Sequence, residues 1–154
     1  MVTIAQSTVR EIMGDVEFPA LIEEYAAEVA VPGMPPPNAR MEVYLRMEGS
    51  GMLRAFSAVV GNSLVGFISL IAPVLPHYGA TVAVSESFFV KREHRKSGAG
   101  LKLLRAAEIA AKELGSPGLL VSAPSAGRLC ELLPRCGYAQ TNVVFFKRFD
   151  ECLN

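Results

Sequence analysis

The chain has 154 residues, 51% of them hydrophobic, and its 15 acidic residues balance 15 lysines and arginines. This length and composition predict a single domain over residues 1–154 with a substantial core, and they exclude a disordered chain. Because there is no excess of basic residues, nucleic acid is not an expected partner.

The N-terminal segment MVTIAQSTVREIM has neither a basic start nor a long apolar run. No window reaches the roughly 18 uninterrupted apolar residues that suggest a membrane span. The cysteines, Cys130, Cys136 and Cys152, are odd in number and form no CxxC pair, so neither a disulfide framework nor a metal site is expected. We expect a cytoplasmic protein without membrane contact and without a bound metal.

Hydrophobic spacing and turn residues predict the elements along the chain. Asp15 and Asn38 are the expected N-caps of the first two helices, and a proline run over 32–37 separates these helices. The predicted elements are a strand at 2–6, helices at 18–29 and 38–47, strands at 53–60, 64–74 and 81–90, a helix at 100–114, a strand at 119–123, a helix at 125–133 and a strand at 138–149.

The order of these elements predicts an α/β (α+β) fold, β-α-α-β-β-β-α-β-α-β, in which a mixed sheet has helices on both faces. The turn at 61–63 joins two strands as a hairpin. The strand that ends at Val90 and the strand that begins at Leu119 should be parallel neighbours, because a crossover helix joins them.

The stretch from Val84 to Leu104 changes abruptly from an apolar strand to a basic turn with two glycines and then to a helix. Such a turn leaves backbone N–H groups unpaired at a helix N-terminus, which favours an anion, most naturally phosphate. Two simpler interpretations stay open. The basic residues of the turn would then be a solvated surface, and Gly98 and Gly100 would serve only close packing of the helix. A turn after the fourth strand also excludes the usual dinucleotide fold, where the glycine turn follows the first strand.

The segment VKREHRKSGAG, from Val90 to Gly100, resembles the acyl-coenzyme-A-binding motif of the GNAT N-acetyltransferase superfamily, V-x-P-x-x-R/Q-x-x-G-x-G/A. Val90, Arg95, Gly98 and Gly100 match this pattern, whereas Arg92 replaces the usual proline. The element order is similar to that of the family along nearly the whole chain. The resemblance implies a mostly antiparallel central sheet and acetyl-coenzyme A (acetyl-CoA) as co-substrate.

The resemblance also implies which residues bind the coenzyme. Amides at the helix N-terminus would hold its pyrophosphate, and Arg95 and Lys96 would add positive charge. Backbone groups freed where the strand ending at Val90 splays from its neighbour would pair with the pantetheine arm, and the Val90 amide would hold the oxyanion. The implied coenzyme-binding residues are Phe88, Phe89, Val90, Arg95, Lys96, Ser97, Gly98, Ala99, Gly100 and Leu101.

An amine nucleophile must lose a proton, and Glu86 is the candidate general base. It corresponds to a position that is often acidic in the family, and a carboxylate on an otherwise apolar face suits a base near neutrality. Strand alternation predicts that Glu86 shares its face with Val84 and Phe88, and that Ser85 and Ser87 point the other way. A solvated edge carboxylate and an anchor for the substrate ammonium are alternative interpretations.

The tyrosine acid of many relatives is missing, because Leu133 occupies its position, four residues before the glycine of the pair Gly137-Tyr138. Water, Ser125, Cys130 or no group at all would then protonate the departing thiolate. Tyr138 is expected to lie in the core.

The acceptor side of the site is less marked. Tyr44 on the second helix, with His77 and Tyr78 in the loop between two central strands, are candidate substrate-contacting residues. These residues do not indicate a particular amine, so a small molecule and a peptide are both possible acceptors. Only one strand is predicted after Tyr138, where many relatives have two, and a homodimer is one way to cover the exposed sheet edge.

The sequence therefore predicts an N-acetyltransferase of the EC 2.3.1 type, which transfers acetyl from acetyl-CoA to an amine by direct attack in a ternary complex. One alternative is a coenzyme-A-binding or regulatory module of the same fold without turnover. A weaker alternative is a nucleotide-phosphate binder unrelated to the family.

Overall fold

The computed structural model describes residues 1–149. The strands are β1 Val2–Ser7, β2 Leu53–Val60, β3 Ser63–Ile71, β4 Val74–Leu75, β5 Ala80–Thr81, β6 Ala83–Val90 and β7 Leu119–Leu120. The helices are α1 Val9–Met13, α2 Phe18–Val29, α3 Met41–Gly49, α4 Ala99–Glu113 and α5 Arg128–Leu132. Short 3₁₀ turns lie at Arg92–His94 and Leu133–Cys136.

Five of the strands form one sheet in the order β1-β2-β3-β6-β7, and β4 pairs with β5 as a separate small hairpin. All neighbours in the large sheet are antiparallel except β6 and β7, which are parallel. The predicted hairpin of β2 with β3 and the predicted parallel pair are thus confirmed. The parallel pair follows because α4 carries the chain back across one face of the sheet.

Each face of the sheet has its own core. Leu103 and Ala107 of α4 pack with Ile68 and Leu70 of β3 on one face, and these side chains are almost completely buried. On the other face Leu21 of α2 joins a second core that also receives partly buried side chains of α3. The predicted mixed sheet with helices on both faces is confirmed. Within the described residues, no helix has the length and hydropathy needed to cross a membrane.

Helix α1 was not predicted. Thr8 caps it, because the Thr8 side chain accepts from the N–H of Glu11 at 3.2 Å while Glu11 Oε2 accepts from the N–H of Thr8 at 2.7 Å. This reciprocal arrangement is a capping box, and its pattern, Thr8-x-x-Glu11, was the available sequence signal.

Both predicted N-caps were wrong. Asp15 Oδ1 accepts from the N–H of Glu17 at 2.8 Å in the turn before α2, and Glu17 itself is the N-cap. Helix α3 begins after Arg40, without a side-chain cap. Short polar side chains bind local amides in turns as readily as at helix starts, which explains the error at Asp15.

The strand predicted at 138–149 is absent over the described residues. From residue 139 to 149 no backbone hydrogen bond is formed within the described part of the chain, and Val144 and Phe145 are 83% and 90% exposed. A strand needs a neighbour to form a ladder, and β7, which contains only two residues, offers very little edge. The predicted helix at 125–133 is also shorter, because the chain becomes a 3₁₀ turn at Leu133.

Candidate active site

The turn between β6 and α4 is built as the sequence predicts, with a 3₁₀ turn at Arg92–His94 followed by Gly98 as the N-cap of α4. Helix α4 has 15 residues, so its N-terminus carries the partial positive charge of a full helix dipole. Four N–H groups here have no acceptor within residues 1–149, those of Lys96, Gly98, Gly100 and Leu101.

The other two amides of the predicted cradle are already used inside the turn. The N–H of Ser97 binds the carbonyl of His94 at 3.0 Å, and the N–H of Ala99 lies 3.3 Å from Ser97 Oγ. These two bonds hold the turn in shape and leave the other four amides of the cradle available to a ligand.

The two glycines of the turn are not required by packing. A Cβ at Gly98 would meet no atom within 4 Å, but its φ of +83° is strained for any other residue. A Cβ at Gly100 would lie 3.8 Å from the side chains of Phe88 and Val90, which is an ordinary contact. The interpretation that both glycines serve close helix packing therefore fails.

Strands β6 and β7 separate after a very short pairing, Ala83 with Leu119 and Val84 with Leu120. On the other side of β6, the N–H of Lys91 binds the carbonyl of Val65 at 2.9 Å. Ladder bonds alternate along an antiparallel pair, so the N–H groups of Phe88 and Val90 point away from β3. They face the gap that opens between β6 and β7.

The side chain of Arg95 does not point at the free amides. Its Nη2 binds Glu28 Oε2 of α2 at 2.8 Å, and its Nε binds the carbonyl of Val90 at 3.0 Å. Its guanidinium also stacks on Phe89, 5.2 Å from the ring centroid. By contrast, Lys96 is exposed to solvent.

Glu86 occupies a bulge in β6. Ser69 of β3 faces Ser87, and the next residue of β3, Leu70, faces Ser85, so Glu86 is an extra residue between these pairs. The bulge turns Glu86 onto the face of Ser69 and Ser87. The predicted alternation was therefore wrong for Ser87 and Phe88, because Glu86 and Ser87 share one face while Phe88 packs on the opposite face with the core beside α4. Ser85, opposite Leu70, lies on the face away from Glu86 as predicted.

Two hydroxyl groups hold the Glu86 carboxylate. The Tyr44 hydroxyl donates to Oε1 at 2.7 Å, and Ser69 Oγ lies 2.9 Å from Oε2 and also 2.7 Å from Ser87 Oγ. These residues come from three elements, α3, β3 and β6. Sequence reasoning named Glu86 and Tyr44 but missed Ser69, whose small polar side chain in a buried strand was the only signal.

Burial raises the pKa of Tyr44 far above its ordinary value, and the hydrogen bond to Glu86 adds to the rise. Burial is also the main cause of a raised pKa at Tyr25, with a smaller effect of the nearby Glu86. Both phenols are therefore neutral at physiological pH, and Tyr44 is a hydrogen-bond donor to Glu86 rather than a base.

The other sequence candidates lie apart from this group. His77 and Tyr78 are exposed between β4 and β5, and their rings meet edge to face with centroids 5.0 Å apart. Within the described residues they form no hydrogen bond to Glu86 or Tyr44. Residues 1–149 contain no cluster of three His, Cys, Asp or Glu side chains that suits a metal ion.

The position of the missing tyrosine acid lies in the core. Leu133 is 7% exposed and packs beside α4, while Ser125 and Cys130 are on the surface. The Tyr138 hydroxyl donates to Glu108 Oε1 at 2.8 Å and its ring packs against the same core, as predicted.

A family model described as the acetyltransferase (GNAT) family matches residues 18–138. The chain belongs to this family. The resemblance seen in the sequence is thus confirmed, and the chain is an N-acetyltransferase of the EC 2.3.1 type. A search of the curated proteins gave no sequence match.

Solved structures of GNAT acetyltransferases share the fold. The ribosomal-protein-alanine N-acetyltransferase from Brucella melitensis has 21% identity and a TM-score of 0.71, over 97% of this chain and 100% of that one. The glucosamine-6-phosphate N-acetyltransferase from Arabidopsis thaliana has 12% identity and a TM-score of 0.72, over 97% and 99%. AAC(6')-Iy in complex with a bisubstrate analogue, CoA-S-monomethyl-acetylneamine, has 16% identity and a TM-score of 0.63, also over 97% and 99%.

Proposed function

We propose that this GNAT enzyme transfers an acetyl group from acetyl-CoA to an amine by direct attack in a ternary complex. The observation that carries the proposal is the construction of β6. This strand presents free amides to the gap beside β7, leads into the α4 N-terminus, and holds Glu86 between Tyr44 and Ser69.

The pyrophosphate of the coenzyme would bind the free amides of Lys96, Gly98, Gly100 and Leu101. Lys96 would supply a cation, since its side chain is exposed beside them. The pantetheine arm would then lie in the gap between β6 and β7, where the amides of Phe88 and Val90 are available. AAC(6')-Iy, which is similar in fold, was solved with a bisubstrate analogue that contains coenzyme A.

In the proposed reaction, Glu86 takes a proton from the acceptor ammonium directly or through water. The amine nitrogen then attacks the thioester carbonyl carbon, the N–C bond forms, and the electron pair moves to the carbonyl oxygen. The Val90 amide would stabilise this oxyanion, and one such donor is worth about 3 kcal/mol. The oxyanion collapses with cleavage of the C–S bond, and the second proton of the attacking nitrogen passes through water to the departing thiolate, which leaves a neutral amide and free coenzyme A. An ordinary thiol pKa near 8.5 makes this thiolate a fair leaving group.

An acceptor screen tests the proposal. Release of free thiol from acetyl-CoA would be measured with amino sugars, aminoglycosides, peptides with free N-termini and simple amines. Two of the fold neighbours named above are a ribosomal-protein-alanine N-acetyltransferase and a glucosamine-6-phosphate N-acetyltransferase. Turnover with at least one amine is expected, and a chain that binds no coenzyme A would contradict the proposal.

The role of Glu86 has its own prediction. Glu86→Gln keeps the size of the side chain and one acceptor oxygen but removes the base. We therefore expect kcat to fall by about 10² to 10⁴ and its pH profile to lose the ionisation of the base. Glu42→Gln, an exposed change on α3, is the matched control and should leave kcat unchanged. If Glu86→Gln turned over normally with an unaltered pH profile, Glu86 would not be the base.

A second candidate function is a coenzyme-A-binding module without turnover, and it is favoured by Leu133 at the position of the usual tyrosine acid. Tight binding of coenzyme A without thiol release on any amine would support this module.

We also propose a homodimer, supported by the segment from residue 139 to 149. Its aromatic and β-branched side chains are exposed, and it forms no backbone hydrogen bond within the described residues. Strand β7 is one of the two edge strands of the sheet, and its Leu120 is 39% exposed. In the proposed dimer the segment from one subunit would extend the sheet of the other, which would bury apolar side chains and satisfy backbone groups of both.

A further inference from the structure

We propose that Arg95 connects α2 to the end of β6 and thereby positions the acceptor side of the site. In this proposal Arg95 is not a ligand of the coenzyme phosphates. This inference rests on the proposed function. It departs from the role that the family resemblance implies for this arginine.

The first support is a row of carboxylates along α2. Glu17, Glu24 and Glu28 are spaced by seven and four residues, so they lie on one side of the helix. Glu17 Oε2 binds the buried Lys91 at 2.5 Å, and Glu24 Oε2 accepts from the N–H of Arg92 at 3.2 Å. The acidic side of α2 therefore faces the turn between β6 and α4.

Among the basic residues of this turn, Arg95 has the largest number of described partners. It joins Glu28 of α2, the carbonyl of Val90 in β6 and the ring of Phe89 at the same time. The side chains of Arg95 and Glu28 are only 22% and 28% exposed. Arg92 also reaches Glu28, at 3.1 Å, but its side chain is 67% exposed, so this pair is screened by water.

A chain of packed rings connects Arg95 to the candidate base. The Phe89 ring beneath the guanidinium meets Tyr25 of α2 edge-on, with centroids 5.8 Å apart. Tyr25 packs against the same core as Tyr44, whose hydroxyl donates to Glu86. If the bond to Glu28 were lost, the C-terminal half of α2 would be held less firmly, and the core against which Tyr25 and Tyr44 pack would loosen.

The same contacts argue against a phosphate role. To turn its Nε and Nη2 to the coenzyme, Arg95 would have to leave both Glu28 and the Val90 carbonyl, which would leave a half-buried carboxylate with a single exposed partner. Removing one partner from such a pair is costly. Lys96 is exposed beside the free amides and needs no such rearrangement.

The test compares Arg95→Gln with Lys96→Gln. The dissociation constant of coenzyme A would be measured by calorimetry, and KM for the amine at saturating acetyl-CoA by thiol release. We expect Lys96→Gln to weaken coenzyme A binding severalfold, with a smaller loss at high salt. Arg95→Gln should leave that constant within about twofold but raise the amine KM about tenfold, a change of about 1.4 kcal/mol.

Glu28→Gln is the partner variant. If Arg95 acts through Glu28, this change should also raise the amine KM, and the double variant should be little worse than Arg95→Gln alone. A change that only destabilised the fold would not raise the amine KM while leaving the dissociation constant of coenzyme A unchanged. Arg92→Gln is the control for loss of a positive charge in the same turn, and its effect should be small.

Two results would overturn the inference. The first is a coenzyme affinity that falls about tenfold in Arg95→Gln and rises in Glu28→Gln, because Arg95 would then be a phosphate ligand that Glu28 restrains. The second is an unchanged amine KM in Arg95→Gln. If no amine is acetylated at all, the proposed function fails separately. Two measurements that need no turnover still decide whether Arg95 binds phosphate. They are the coenzyme A affinities of the variants and the free energies of unfolding in urea of Arg95→Gln, Glu28→Gln and the double variant.

Discussion

At the scale of single residues, the candidate site depends on one inserted residue. The bulge at Glu86 moves this carboxylate onto the face where Tyr44 and Ser69 can donate to it. Counted back from Phe88, strict alternation would direct Glu86 to the face beside α4, away from Tyr44 and Ser69. A shift of one residue therefore decides whether a base is available.

The hydrogen bond from Tyr44 to Glu86 should contribute to stability. Tyr44→Phe should lower the free energy of unfolding by about 1 to 2 kcal/mol at pH 7, because a bond to a charged group is lost. The folded pKa of Tyr44 is raised above its ordinary value of 10.0, so the stabilising effect is complete below that pH and is lost as the pH rises further.

Urea unfolding of both proteins at pH 7 and at more alkaline pH measures this difference. The gap between wild type and Tyr44→Phe should narrow as the medium becomes alkaline. A gap that widened would mean that folding does not favour the neutral phenol.

A change at Gly100 should affect coenzyme A binding and the free energy of unfolding differently. Gly100→Ala adds a methyl group beside the free amides but only ordinary contacts with Phe88 and Val90. The helix should gain up to about 1 kcal/mol from the better propensity of alanine. Coenzyme A binding should change little, because the family pattern also accepts alanine here and the added carbon faces Phe88 and Val90.

Gly98→Ala is the contrasting variant, because its left-handed backbone should cost about 1 to 2 kcal/mol of stability. Thermal unfolding and calorimetry with coenzyme A measure the two effects. Should Gly98→Ala bind the coenzyme as tightly as wild type, the cradle would lie elsewhere.

At the scale of elements, the ends of the helices were harder to predict than the helices themselves. The sequence predicted α2 and α4 from their apolar spacing, but it misplaced the caps of α2 and α3 and missed α1. Spacing reports which face of a helix is buried, whereas a cap depends on a single local hydrogen bond for which several side chains compete.

The capping box of α1 gives a prediction for this short helix. Thr8→Ala should lower the free energy of unfolding by about 1 kcal/mol, because the N–H of Glu11 loses its acceptor. Thr8→Ser keeps the hydroxyl group and should be close to wild type. Equal stability of the two variants in urea unfolding would show that the cap contributes nothing.

At the scale of the whole molecule, the sheet is both scaffold and ligand-binding surface. Its two cores keep β3 and β6 rigid from opposite faces. The early separation of β7 from β6 leaves backbone groups free for a ligand. The single-domain organisation and the cytoplasmic location stay predictions.

The proposed homodimer is tested on the whole molecule. Light scattering at several concentrations should give the mass of two chains, and Val144→Glu combined with Phe146→Glu should give one chain, because charges would enter an apolar interface. Val16→Glu is a matched control, since Val16 is 91% exposed between α1 and α2. A wild-type chain that is monomeric at every concentration would contradict the proposal.

The sequence by itself determined the order of the main elements, the parallel pair around α4, and the glycine turn at its N-terminus. These features depend on local spacing and on backbone conformations that only certain residues allow. It could not determine the partner of Arg95, the bulge that turns Glu86 toward Tyr44, or the absence of a strand after Tyr138. Each of these is decided by residues far apart in the chain, through a salt bridge, a ladder register or a missing neighbour, and only the tertiary structure brings such residues together.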